Sequence, residues 1–164
     1  MILKIIKYGQ PALRKKSAEI KEISGEIKKI ASEMIETMKM RQGIGLSAPQ
    51  VGILKRIVVV DNGERTLCLI NPRIIKKSAE TETKEEGCLS FPKLFLDIAR
   101  SKKITVEALT LDGLSFQIEA EGLLSRIIQH EIDHLNGILF IDRIGFWQRW
   151  KLRKQLAEIK KHAD

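Results

Sequence analysis

The sequence predicts an α+β fold: one compact domain, residues 1–164, in which antiparallel or mixed β-sheets surround a central helix, with a further helix at the C-terminus. Three observations predict it. Helical and strand patterns occur in blocks rather than in strict alternation, which is the arrangement of α+β proteins. The length of 164 residues fits one domain at about 150 residues per domain. A chain that long buries about 70% of its unfolded surface without help from disulfides or metals. The composition, 43% hydrophobic and 30% charged, is globular. No apolar run approaches the ~20 residues of a membrane helix. Lys4 and Lys7 interrupt the N-terminal stretch where a signal peptide needs an apolar core.

The elements follow in order. Pro11 opens a short helical turn. Ser24 is an N-cap, with Glu26 in the first turn where the helix dipole favours negative charge. Ile27, Ile30, Met34 and Met38 then form one apolar helical face, ending at Arg41 and Gln42 before Gly43. Ile57–Val60 and Leu67–Ile70 are short buried strands, the second closed by Asn71-Pro72. Residues 73–86 are polar and extended, as in an exposed strand or hairpin. Ile104, Val106 and Ala108 alternate with polar residues as in a half-buried strand, and Asp112-Gly113 turns the chain into a strand at 115–120. Leu123, Ile127, His130 and His134 share a helical face that Gly137 ends. Leu139–Ile141 reads as a last short strand, and residues 147–164 as a basic helix.

Two cysteines and no signal segment point to free thiols in a reducing compartment. The net charge of +8 suggests an anionic partner such as nucleic acid or a membrane surface.

The chemistry concentrates in His130-Glu131-Ile132-Asp133-His134. Imidazoles at i and i+4 lie one turn apart on one face and can chelate a single metal ion. Glu131 points about 100° away from His130, where a base could act on a metal-activated water. A charged helix segment matching by chance is the alternative. Yet these histidines share a face with Leu123 and Ile127, where unpaired polar groups are costly. A third ligand is required. His162 lies in the lysine-rich tail and reads as a solvated surface residue. Cys68 sits within an apolar strand and suits the core. Cys88, in Glu86-Gly87-Cys88-Leu89-Ser90, adjoins a glycine that permits close backbone approach. A Cys-His-His set with one open position is the pattern of a catalytic rather than a closed structural site. Gly43-Ile44-Gly45-Leu46-Ser47-Ala48-Pro49-Gln50 lacks the ending of a phosphate-binding loop and reads locally as a flexible loop. Its Gln50 offers a neutral amide donor for a developing oxyanion.

Together the three segments resemble the peptide deformylase family. They stand in the family's order: GIGLSAPQ at 43–50, EGCLS at 86–90 and HEIDH at 130–134. The resemblance extends from Lys7–Arg14 to the basic C-terminal helix, with Ser47 where alanine is more usual. It implies a catalytic domain that removes the formyl group from the N-terminal formyl-methionine of newly made proteins. Cys88, His130 and His134 match the metal ligands, and Glu131 the catalytic acid/base. Gln50 and the backbone N–H of Leu89 match the donors that hold the formyl oxygen. Gly45 matches a backbone contact to the substrate. The resemblance implies one divalent ion per chain, Fe(II) first, with zinc, nickel or cobalt as alternatives, in a cytoplasmic monomer. Ile44, Leu123 and Ile127 are candidate walls for the methionine side chain, with ordinary core packing as the alternative reading.

Two rival readings remain. Zinc endopeptidases share the HExxH pattern but usually take a downstream His or Glu as third ligand, and only His162 follows here. A nucleic-acid-binding module without enzymatic activity would account for the charge. Residues 147–164 hold six Lys or Arg against two acidic residues, half of the net charge. The resemblance implies that this tail docks on the ribosome near the exit tunnel. The plainer alternative is a solvated helix whose Trp147, Trp150 and Leu156 pack on the body.

Overall fold

The computed structural model describes residues 1–163. Its element order is a 3-10 turn (Pro11–Arg14), α1 (Gly25–Met40), β1 (Gly45–Ser47), a 3-10 turn (Ala48–Val51), β2 (Ile57–Asp61), β3 (Thr66–Lys77), β4 (Thr81–Cys88), β5 (Phe91–Ser101), β6 (Lys103–Leu109), β7 (Ser115–Glu121), α2 (Gly122–Leu135), a 3-10 turn (Phe140–Arg143), α3 (Phe146–Lys151) and α4 (Arg153–Lys161). The strands form an antiparallel five-stranded sheet in the order β1-β2-β3-β6-β7 and a separate β4-β5 hairpin. This is the expected α+β architecture, with α2 enclosed between the two sheets.

Strand β2 shows why its apolar run is unbroken. Successive residues point to opposite faces of a sheet, and both faces are covered here. Ile57 and Val59 pack with Ile27, Ala31, Met34 and Met38 of α1. Val58 and Val60 pack with Ile127, Ile128, Ile132 and Leu135 of α2. A third cluster joins Phe91, Leu94, Leu96 and Ile98 of β5 to Leu13, Phe140 and Leu156. The α1 start is as expected: the Ser24 side chain accepts from the Ile27 N–H. Gly137 ends α2 at φ +72°, where a Cβ would lie 2.5 Å from the Arg14 carbonyl oxygen.

Several expectations need correction. Asn71-Pro72 does not close β3, which runs on to Lys77 through a register shift between Ile70 and Arg73. Asn71 adopts φ +50°, a region its side chain tolerates. Its amide bonds both the N–H and the carbonyl of Ile20 at 2.8 Å. Leu139–Ile141 is no strand. Asp142 accepts the Leu139 N–H at 2.9 Å and winds the chain into a 3-10 turn. Gly43–Gln50 is no flexible loop either: β1 pairs with β2, and Leu46 through Gln50 are buried. Pro49 fits the 3-10 turn because its missing N–H falls in the first turn. The basic tail is two helices divided at Leu152. Leu156 is buried, whereas Trp147 and Trp150 are 72% and 49% exposed. Strand β5 went unread, although Leu94, Leu96 and Ile98 alternate with exposed neighbours.

Candidate metal centre and catalytic cleft

The site is built around α2. This helix is not amphipathic in the folded chain, because Ser125 through Leu135 are all buried. Its polar residues must therefore find partners inside the protein. His130 Nδ1 lies 2.8 Å from Glu86 Oε1, which leaves Nε2 as the ligand atom. His134 Nε2 lies 3.4 Å from Cys88 Sγ. The ligand atoms of Cys88, His130 and His134 all lie within 4.8 Å of one another. Tetrahedral bonds of about 2.0–2.3 Å to one ion place such atoms about 3.5 Å apart, so the spacing fits a divalent metal ion. These three residues form the metal-binding group, with Cys88 rather than Cys68 as the sulfur. Burial pushes the Cys68 thiol up to about 12, which keeps it protonated and inert. His162 is exposed and pairs with Glu158 in the tail.

A buried charge network holds this group in place. Glu86 receives two bonds from Arg100, at 2.9 and 3.0 Å, and one from Arg126 at 2.7 Å. Burial alone would raise the Glu86 carboxyl, but His130 and Arg100 outweigh it and hold the value at about 2. Arg100 also bonds Asp133 at 2.6 Å, and Asp133 bonds Arg143 at 2.7 Å. Arg126 further bonds the carbonyls of Glu82 and Ile98. The network thereby joins α2, which carries both histidines, to the β4-β5 hairpin, which carries the cysteine. Glu86 is thus buried, not on an exposed strand. Sequence reasoning quoted Glu86 and Asp133 within their motifs but assigned them no role, and it missed Arg126 and Arg143, because charged side chains scattered between positions 86 and 143 carry no local signal of a shared network. Arg100 alone had one: it takes the inward position in the alternation of β5.

A cavity of about 560 Å³ opens beside the metal-binding group. Gly45, Gln50, Leu89, Glu131, Ile44, Leu123 and Ile127 all line it, with the ligands Cys88 and His130, whereas the ligand His134 lies buried behind them. Ile44 and Leu123 are exposed, at 50% and 63%, and Ile127 is buried. Leu123 is therefore no core residue. Phe91, Leu94 and Phe95 add apolar wall that the sequence reading did not include. Gly45 approaches α2 so closely that a Cβ there would lie 2.7 Å from both Glu131 Oε1 and Ile127 Cγ2. Burial pushes the Glu131 carboxyl up to about 7, against opposing effects of His130 and a Ser47 hydrogen bond. Glu131 Oε2 and His134 Nδ1 are buried with no hydrogen-bond partner among the described residues. An unpaired acceptor on a cavity wall is a natural place for water or a substrate N–H. Gln50 accepts from the Ser47 N–H and hydroxyl through Oε1, both at 3.0 Å. This turns Nε2 toward Cys88 Sγ at 3.5 Å and Ser90 Oγ at 3.4 Å. Both are long contacts that a better acceptor can replace.

The polypeptide deformylase family model matches residues 2–150, leaving 151–164 beyond it. A peptide deformylase of Thermotoga neapolitana is 46% identical over 156 residues, 95% of each chain. The crystal structure of peptide deformylase from Thermotoga maritima superimposes with a TM-score of 0.87 at 46% identity, covering 88% of this chain and 99% of that one. The enzyme from Thermus thermophilus gives a TM-score of 0.93 at 37% identity, over 99% of this chain and 100% of the other. A cysteine sulfur and two imidazoles gathered beside a cleft, on a chain matched over nearly its whole length, lead to one conclusion: this chain belongs to the polypeptide deformylase family of metal-dependent hydrolases.

Proposed function

We propose that this chain hydrolyses the formyl group from the N-terminal formyl-methionine of nascent proteins, with Glu131 as acid/base and Gln50 and the Leu89 N–H as donors to the formyl oxygen. One observation carries the reading: Cys88 and His130 of the metal-binding group line the same cavity as Glu131 and Gln50. A divalent ion held there supplies Lewis acidity, which acidifies water and polarises an amide carbonyl. The remaining chemistry belongs to the chain. Glu131 accepts a proton from water as the water oxygen bonds to the formyl carbon. Gln50 Nε2 exchanges its long contacts for the formyl oxygen, where negative charge develops. Leu89, in the two-residue turn between β4 and β5, offers its N–H beside it. Glu131 then returns the proton to the amine nitrogen as the C–N bond breaks, releasing formate and a free N-terminus. The buried carboxyl suits both halves of this exchange, since a proton-transfer group works best near the ambient pH.

Ile44, Leu123 and Ile127 form the apolar wall for the methionine side chain, and the Gly45 backbone lies against the substrate. Exposed leucine and isoleucine on a concave wall suit an apolar side chain that arrives from solvent. The ion is proposed to be Fe(II), with zinc, nickel or cobalt able to replace it, because thiolate and imidazole suit all four. Metal analysis of anaerobically purified protein tests the choice. Formate release from an N-formyl-Met peptide, without cleavage of internal bonds, is the expected activity. Internal cleavage without formate would establish an endopeptidase instead. Cys88→Ala is expected to lose the bound ion and the activity together; a full equivalent of metal in that variant would remove Cys88 from the ligand set.

The enzyme is proposed to act in the cytoplasm as a monomer; one chain supplies Cys88, His130, His134, Glu131 and Gln50. No helix among the described residues is long and apolar enough to cross a membrane. The basic tail is proposed to dock on the ribosome, where RNA attracts positive charge. Supporting this, Lys151, Arg153 and Lys154 are exposed, beside the exposed Trp147 and Trp150. Removing the whole tail would also strip Leu156 from the core, so the cleaner test replaces Lys151, Arg153 and Lys154 with serine. Ribosome co-sedimentation should weaken and lose part of its salt dependence, while short-peptide activity stays unchanged. Unaltered co-sedimentation would count against the docking surface.

A further inference from the structure

The N-terminal segment 6–8 supplies no ligand, yet it is fastened to both pieces of chain that carry the formyl-oxygen donors. The Ile6 N–H donates to the Gln50 carbonyl at 2.8 Å, and the Tyr8 N–H donates to the Ser90 carbonyl at 2.9 Å. Between them, Lys7 Nζ donates to the Leu89 carbonyl at 2.9 Å. Lys7 is half-buried and lines the catalytic cavity. Burial, with the nearby charge of Arg41, lowers its pKa. A lysine that stayed in water would avoid that cost, since its four-carbon stem readily carries the ammonium to the surface. Here the ammonium turns inward instead, to a single backbone oxygen.

The location matters because the β4-β5 ladder does not set the turn by itself. The register shifts between Gly87 and Cys88, just before Leu89 and Ser90. A bulge of this kind re-aims the residues beside it, so contacts from outside the hairpin decide the direction of the turn. An oxyanion donor is effective only when it lies about 2.7–3.1 Å from where the oxygen will be. A hydrogen bond from an ammonium is about twice as strong as a neutral one.

We propose that Lys7 is a positioning residue for deformylation: its ammonium holds the Leu89–Ser90 turn so that the Leu89 N–H and the Gln50 amide converge on one oxygen. This rests on the reading that those two groups hold the formyl oxygen. Lys7→Met keeps the stem and removes the charge, and Lys7→Arg keeps the charge. Both are compared with the parent as metal-loaded enzymes on a formyl-Met peptide. Lys7→Met is expected to lower kcat about tenfold, less than the 10²–10³-fold that follows loss of a donor. KM, metal content and Tm should stay close to the parent's, and Lys7→Arg should recover most of kcat. Parental kcat in Lys7→Met would overturn the proposal. So would a loss confined to KM, an equal loss in Lys7→Arg, or a fall in Tm at parental kcat. Gln50→Ala, measured alongside, separates the two levels. A large kcat loss in Gln50→Ala with none in Lys7→Met defeats only the role of Lys7. Parental kcat in Gln50→Ala defeats the underlying reading.

Discussion

Glu131→Gln is expected to lower kcat for formate release by about 10³-fold or more while the protein keeps its metal ion. The amide preserves the size of the side chain against Gly45 and Ile127, so the cleft should stay intact. It cannot take a proton from water and return it to the amine. Positioned acid/base groups contribute about 10²–10⁴-fold, and here one carboxyl serves both halves of the reaction. Steady-state formate release and elemental analysis check this. Retained activity would move the acid/base elsewhere, and lost metal would make Glu131 a ligand. Metal-free protein should show a second signature. The Glu131 carboxyl titrates at about 7 in the fold, above its ordinary value of 4.5. The protonated form therefore favours folding. Its contribution is complete below about pH 4.5 and is lost as the pH rises through 7. Metal-free Glu131→Gln should lack that decline between pH 5 and 8, and an equal decline in both proteins would argue against a desolvated carboxyl.

Glu86→Leu is expected to be the most destabilising change near the site. It leaves Arg100 and Arg126 buried opposite an apolar side chain and frees His130 Nδ1. Removing one partner of a buried ion pair costs about 3–5 kcal/mol. At about 2–4 °C per kcal/mol for a chain of this size, Tm should fall by roughly 10 °C. Metal affinity should fall about 10–100-fold, the usual cost of losing a group that orients a ligand histidine. Thermal unfolding and metal titration measure the two effects separately. The pH dependence has the opposite sign to that of Glu131. The folded Glu86 value of about 2 lies below the ordinary 4.5. Its stabilisation is present above about pH 4.5 and is lost as the pH falls toward 2. Glu86→Leu should lose less stability over that acid range than the parent does. Unchanged Tm and affinity would mean that the network is dispensable.

Helices and strands set by local patterning were legible. The α1 face, the β2 run, the β6-β7 hairpin and the stop at Gly137 each repeat a period or carry a turn signal within a few residues. Errors arose where a distant partner overrides the local signal. Asn71 bulges β3 because Ile20, 51 positions earlier, pairs with its amide. Leu139–Ile141 winds into a turn because Asp142 caps it and is itself held by Arg14 and Arg149. Residues 43–50 looked mobile because their two glycines signal flexibility, whereas here Gly45 makes room for α2 beside β1 and Gly43 packs against Leu89.

For the site, residue chemistry and spacing on one helix were enough to pick His130, His134 and Glu131, because i and i+4 share a face in any α-helix. Cys88 and Gln50 entered through short motifs whose residue types suit the task. No local pattern places Glu86, Arg100, Arg126 and Asp133 in one buried network, or sends Lys7 to the Leu89 carbonyl. Those contacts exist only when two separate sheets close around α2, since the energy of a buried charge depends on which distant groups fold against it. By itself the sequence determined which atoms can hold a metal ion and move a proton. The tertiary structure decided which charges brace those atoms, and how the cysteine of one hairpin meets the histidines of another element.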